Sequence, residues 1–399
     1  MNQSASGSFG APSRGTASPR HIFTFVYFTF VCYFSIGLPL AVLPPYVHLR
    51  MGYSDVLAGL VISIQYIATL VSRPWAGRIS DRLGAKVSVL WGMAACTSSG
   101  ALLIAAGALQ GVHWMSFAIL IVSRLFLGVG ESLGSTGATL WGITSAGTEN
   151  TARVIGFNGI STYGGMALGA PLGVVVDRQW GLASIGMMTI AIAGGSFLLA
   201  LAKKSIVVEP GEHMGFGHVL GRVAPHGMGL ALGGISYSVL ATFVTLFYAS
   251  RHWNGAALCL TAFGIAFIIA RVFFIRTIDR FGGFPVARAS LLVEAFGTIL
   301  LWRAVSPWMA LSGAAVCGFG LSLIFPALGV EAVKRVPEFN RGTALGVYTA
   351  FSDVSFFLVG PVAGALIGFY GYASVFLFAL ISILAALGIV FVLQRMQRE

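Results

Sequence analysis

Acidic residues are scarce in this chain: 13 Asp and Glu stand against 24 Lys and Arg, and only 9% of the 399 residues are charged. A soluble domain carries roughly 25%, because water must wet its surface. So little charge excludes an ordinary soluble enzyme or binding module. Cysteine is also rare. Cys32, Cys96, Cys259 and Cys317 each fall inside an apolar run, with no metal-ligand spacing; they read as buried thiols rather than a disulfide framework. The chain has no GxxxxGK[ST] loop and no HExxH or paired Cys/His cluster, so neither ATP hydrolysis nor a metal enzyme is expected. The reading is a non-enzyme without cofactor or metal. The net charge of +11 would suggest nucleic acid in a soluble protein, but the basic residues lie between apolar runs. Nucleic acid is therefore excluded as a partner.

What is abundant is apolar. Hydrophobic residues make up 57% of the chain, mean hydropathy is +0.87, and there are 30 Phe and 52 Gly. A bilayer-crossing helix needs about 20 apolar residues. Such runs fall at about 22–47, 54–76, 87–109, 114–143, 153–177, 182–202, 226–250, 255–275, 285–305, 307–330, 342–370 and 372–394. They are solidly apolar, without the alternation of barrel strands. Twelve spans are expected in the lipid bilayer. Lys and Arg crowd the side that bears the N-terminus, while the other side holds only Arg50, Arg178, Arg251 and Arg303. By the positive-inside rule both termini are expected in the cytoplasm, with the chain in the cytoplasmic (inner) membrane.

Residues 1–20, rich in Ser, Gly and Pro, read as a disordered cytoplasmic tail. The longest later polar stretch, 203–225, divides the spans six and six. The expected units are bundles at 21–202 and 226–395, a central loop at 203–225 and a short tail at 396–399. The two halves echo one another. "SRPWAGRISDRLGAK" and "ARVFFIRTIDRFGGF" match at Arg73/Arg271, Asp81/Asp279, Arg82/Arg280 and Gly84/Gly282, all 198 residues apart; Gly165, Gly169 and Gly173 recur 195 residues later as Gly360, Gly364 and Gly368. A duplicated six-helix unit is a common transporter plan, with the substrate site between the halves.

"GRISDRLGAK" resembles the signature of the loop between the second and third helices in the major facilitator superfamily, and the likeness extends over nearly all of the chain after residue 20. The resemblance implies an all-α membrane protein of twelve transmembrane helices in two pseudo-symmetric six-helix bundles. It also implies a gating loop of Gly77, Asp81, Arg82, Gly84 and Lys86, in which Asp81 latches onto the helix beginning near Arg341. Asp279 and Arg280 form its weaker copy, since Ile275 and Phe284 replace the Gly and the basic residue. Glycines at 77 and 84 suit a tight turn.

The fourth span carries "SRLFLGVGESLGS". Arg124, Gly128 and Glu131 share one helix face, and intramembrane charges face a cavity or a partner. The Arg-x-x-x-Gly pattern resembles a superfamily motif linked to proton coupling, which makes Arg124 and Glu131 coupling candidates. Asp353 is a further one; it corresponds to Asn158 at the 195 offset. Glu294 reads as structural and Glu331 as a loop acid. Gly165, Gly169, Pro171 and Gly173 resemble the antiporter motif of drug-efflux members, with Gly360, Pro361 and Gly364 as its echo; small residues of this kind admit close helix packing. Tyr33, Gln65, Tyr66, Tyr163, Tyr237 and Tyr348 are cavity candidates, and Tyr46 and Trp253 read as interfacial anchors. The expected function is proton-coupled efflux of a small organic solute (drug, sugar or metabolite) by a monomer working through alternating access. Import or uniport of sugars or organic acids is the alternative. A transporter-fold sensor is the alternative of another class.

Overall fold

The computed structural model describes residues 19–147, 150–205, 216–336 and 341–397. The expected tails lie almost wholly outside these residues, as do 206–215 of the expected 203–225 loop and the side chains of Asp81 and Arg341, and with them the expected latch; residues 216–225, expected in that loop, are helical. Twelve helices among the described residues are long and apolar enough to cross a membrane. They are α1 (Pro19–Leu40), α2 (Asp55–Arg82), α3 (Ala85–Ala108), α4 (His113–Ala146), α5 (Thr151–Trp180), α6 (Leu182–Ala202), α7 (Phe216–Ser250), α8 (Ala257–Phe274), α9 (Gly283–Trp302), α10 (Pro307–Val333), α11 (Arg341–Tyr370) and α12 (Ser374–Met396). The first span continues past α1 through the short helical turns Leu43–Pro45 and Tyr46–Arg50.

Local chemistry sets several helix ends. The Ser54 side chain caps α2 by accepting from the Leu57 N–H; Ser306 does the same for Met309 at the start of α10, where Pro307 fills the first turn. The matched Gly84 and Gly282 both take positive φ, +95° and +85°, a conformation costly for residues with a Cβ. That explains why the two echoed copies keep this glycine. Gly77 does not form the turn that its motif implied: α2 runs through it to Arg82.

Packing repeats between the halves. In the first half α1 packs on α5, α3 on α4, α2 on α4 and α3 on α6; in the second, α7 packs on α11, α9 on α10, α8 on α10 and α9 on α12. Among the described residues the halves meet mainly through α2 with α11 and α5 with α8. Trp91, Leu198, Phe273 and Phe296 are more than half exposed on the outside, as a lipid-facing surface requires. Tyr46, expected at an interface, is buried instead, with the Arg50 guanidinium over its ring.

The glycine echo does not mark equivalent positions. A Cβ on Gly165, Gly169 or Gly173 would collide with the α1 backbone of the same half, whereas one on Gly360 or Gly364 would collide with α2 of the other half. Equal spacing makes a smooth stripe but does not specify the helix that packs against it.

Candidate functional site

The site is the seam where α2 and α5 of the first half meet α11 and α8 of the second. Call the end of the helices carrying Arg82 and Lys86 the basic end, and the opposite end the far end. At the far end, the Tyr372 hydroxyl donates to Asp55 Oδ1 at 2.7 Å. Next inward, Gly59 and Gly360 approach backbone to backbone; Ser63 Oγ donates to the Phe356 carbonyl at 2.9 Å and accepts from Gly360 N at 3.0 Å. On the other helix pair, Thr261 Oγ1 donates to the Ala167 carbonyl at 2.9 Å, and Gly264 lies against Ala167.

Below these contacts an aromatic layer crosses the seam. The Tyr66 ring stacks on Phe356 with centroids 4.2 Å apart, and Phe356 meets Tyr237 edge-on. Tyr237 stacks on Phe263 at 4.3 Å, and Tyr163 lies 3.8 Å from Phe267. Helices of both halves thus interlock through rings, which fill space without leaving charge to solvate. Of the cavity candidates, Tyr66, Tyr163 and Tyr237 belong to this layer. Tyr348 gives its hydroxyl to the Phe325 carbonyl inside the second half.

Beyond the rings, toward the basic end, lie the charges. Arg73 of α2 and Asp353 of α11 form a two-pronged ion pair across the seam: Nη2 donates to Oδ1 at 3.0 Å, and Nε donates to Oδ2. Glu131 of α4 is buried close by. Its Oε2 accepts from Gln65 Nε2 at 2.9 Å and from Thr69 Oγ1 at 3.2 Å. Glu131 and Tyr33 are near enough to Arg73 and Asp353 to act on their charges. Sequence reasoning missed Arg73 as a site residue and counted it among the basic-end charges. The signal was available, since it is a matched position of the repeat inside a helix.

Arg124 is fully buried, and none of its three side-chain nitrogens has a hydrogen-bond partner among the described residues. It shares a helix face with Glu131, as the spacing requires, but the two form no ion pair among the described residues. The carboxylate turns to α2, whose amide and hydroxyl reach it first. Asn158 faces its own half, accepting from Thr29 Oγ1 at 2.6 Å. It is therefore not the counterpart of Asp353 that the offset implied.

Two further acids are held within the second half. Glu294 is buried inside the second half and accepts from Ser236. Glu331, read as a loop acid, is buried as well; it accepts from Gly283 N at 3.1 Å at the start of α9, and from Lys334 at 3.0 Å. A carboxylate there satisfies an otherwise free helix N-terminal donor. Lys86 of the gating motif donates to the carbonyls of Leu201 and Lys203 at the end of α6 and so secures that helix C-terminus. Arg82, Asp279 and Arg280 are exposed, Arg280 with its guanidinium over the Phe281 ring.

Comparison with known proteins matches this architecture. Residues 25–258 and 226–399 match the family model described as Major Facilitator Superfamily. A protein of Burkholderia mallei (strain SAVP1) described as an uncharacterized MFS-type transporter is 49% identical over 397 residues, covering 100% of this chain and 98% of its own. One of Pseudomonas aeruginosa (strain UCBPP-PA14), described in the same words, is 51% identical over 378 residues, covering 95% and 94%. Among solved structures, the human organic anion transporter MFSD10 (TETRAN) superposes with a TM-score of 0.72 at 16% identity, covering 94% of this chain and 100% of its own. A point mutant of the nucleoside transporter NupG gives 0.71 at 17%, covering 93% and 99%. Twelve spans, two echoed halves, a charged seam and these likenesses agree: the chain is a multi-pass membrane protein that belongs to the major facilitator superfamily of transporters.

Proposed function

We propose that the chain exports a small organic solute against an inward flow of protons, rocking its two halves so that a site in the seam opens to one side at a time. The observation that carries this reading is the Arg73–Asp353 pair with Glu131 beside it. One cation serves two carboxylates on opposite halves. While the seam is closed at the far end, Asp353 holds Arg73 and Glu131 relies on neutral donors, so it can keep a proton. When solute entering from the basic end displaces Asp353, Arg73 is released toward Glu131, which then favours the anion and gives up its proton to that side; Glu131 is reloaded from the other side once the far end opens. The far-end contacts and aromatic layer support a seam shut on that side. At the basic end, a Cβ added at Gly77, Gly156 or Gly346 would meet nothing within 4 Å.

The concentration of Lys and Arg supports a cytoplasmic basic end, both termini inside and a place in the inner membrane. Bundles at 21–202 and 226–395, joined through 203–225 and flanked by tails at 1–20 and 396–399, supply the two rocking bodies of a monomer. The test is transport by inverted vesicles with an acidified interior. Wild type accumulates solute under that gradient, and Glu131→Gln does not. Equal rates for the two would remove Glu131 from coupling. Solute entry independent of the gradient would favour the import or uniport reading.

A further inference from the structure

The seam is built twice, but its charges are not. Arg271 occupies on α8 the position that Arg73 occupies on α2. It is 5% exposed and faces α5 at Gly159, where a Cβ would stand 3.6 Å from Arg271 Nη1 and 3.9 Å from Cζ, with no other atom within 4 Å. On the equivalent helix pair an acid, Asp353, fills this role. On α5 the neighbouring residues are Ile155, Gly156, Asn158, Gly159 and Ile160. Nε and Nη2 of Arg271 donate to Ser322 Oγ and its carbonyl, and the Phe267 ring lies 4.9 Å beneath the guanidinium. Among the described residues no carboxylate forms an ion pair with it, and the groups acting on its charge are the phenols Tyr163 and Tyr348.

A buried guanidinium without an anion costs several kcal/mol in desolvation. One turn nearer the basic end, a Cβ on Gly156 would meet nothing within 4 Å. The wall is aromatic, with Tyr163 close over Phe267. Resting on the carrier reading above, we infer that the transported solute is a small organic anion whose carboxylate pairs with Arg271 beside Gly159, in the role Asp353 plays for Arg73, with its flat apolar body against Tyr163 and Phe267. Arginine suits this ligand because its fork matches a carboxylate in two-pronged geometry.

The test is thermal unfolding of the purified full chain with millimolar benzoate or its neutral analogue benzamide. Wild type should show a saturable rise in melting temperature with benzoate and none with benzamide. Arg271→Gln should weaken the apparent benzoate affinity by roughly thirtyfold or more. Gly159→Asp supplies an internal carboxylate where there is room for one; it should lose the benzoate response without losing stability, so the loss is not misfolding. Arg276→Gln removes an exposed charge just past α8 and should respond as wild type does. A wild type indifferent to benzoate, equal responses to benzoate and benzamide, or an undiminished response in Arg271→Gln overturns the inference. Because the readout is binding, a benzoate response that persists in Glu131→Gln leaves this inference standing even if transport is not proton-driven.

Discussion

Arg73 and Asp353 are 280 residues apart in the chain and bind each other across the seam. Arg73 is the larger and more exposed partner at 16%, with Asp353 at 5%. Removing one member of such a pair strands the other, at a cost of about 3–5 kcal/mol. Arg73→Gln and Asp353→Asn should each lower stability by that order, while the double variant should lose clearly less than the sum. Chemical denaturation of the four proteins gives the cycle; additive losses would mean the pair does not couple the halves.

Glu131 accepts from neutral groups of α2, Gln65 and Thr69, in this arrangement. Gln65→Ala should therefore raise the proton affinity of Glu131 by removing a donor to its charged form. In a transport–pH profile the midpoint should move to higher pH. An unchanged profile would show that the amide does not tune the acid.

Gly360 admits α2 because it has no side chain. A Cβ there would meet the Gly59 backbone and the Ser63 hydroxyl. Gly360→Val should wedge the far end apart and favour the opposite state. A cysteine at Ser63, protected in the parent, should then react with a polar maleimide at least about tenfold faster, the effect of roughly 1.4 kcal/mol in the opening equilibrium. Unchanged protection would show that the far end closes elsewhere.

Tyr372 and Asp55 fasten the same end. Burial first, and then the bond to Asp55, hold the Tyr372 phenol above its ordinary range. A raised pKa means the contribution is complete below the unfolded value and disappears as pH rises through the folded one. The fastening should therefore be constant across neutral pH and weaken only in strong alkali. Tyr372→Phe should remove that alkaline dependence from maleimide labelling at Ser63→Cys. A pH response confined to the neutral range would point to another group.

The twelve spans were legible because a 20-residue apolar run has few other readings, and the repeat was legible where a turn demanded glycine, at Gly84 and Gly282. Glu131 and Asp353 stood out as acids inside such runs. Arg73 did not, since a cation at the basic end satisfies the positive-inside bias without any partner. The Gly165 and Gly360 stripes look alike in sequence because smoothness is the same whichever helix it meets. Glu331 passed for a loop acid because its partner, the Gly283 amide, is backbone and carries no side-chain signature. The aromatic layer is illegible for a related reason: Tyr66, Tyr163 and Tyr237 lie in the seam while Tyr348 does not, and only packing separates them.

The most direct measurement of the whole account is labelling of single cysteines at the two ends of the seam, with Cys32, Cys96, Cys259 and Cys317 replaced by Ala. Gly156→Cys reports the basic end and Ser63→Cys the far end. The account predicts a reactive Gly156→Cys and a protected Ser63→Cys at rest, with the pattern reversed when Arg73→Gln is added. Both positions reactive at once in doubly labelled molecules, or both protected under every condition, would contradict it.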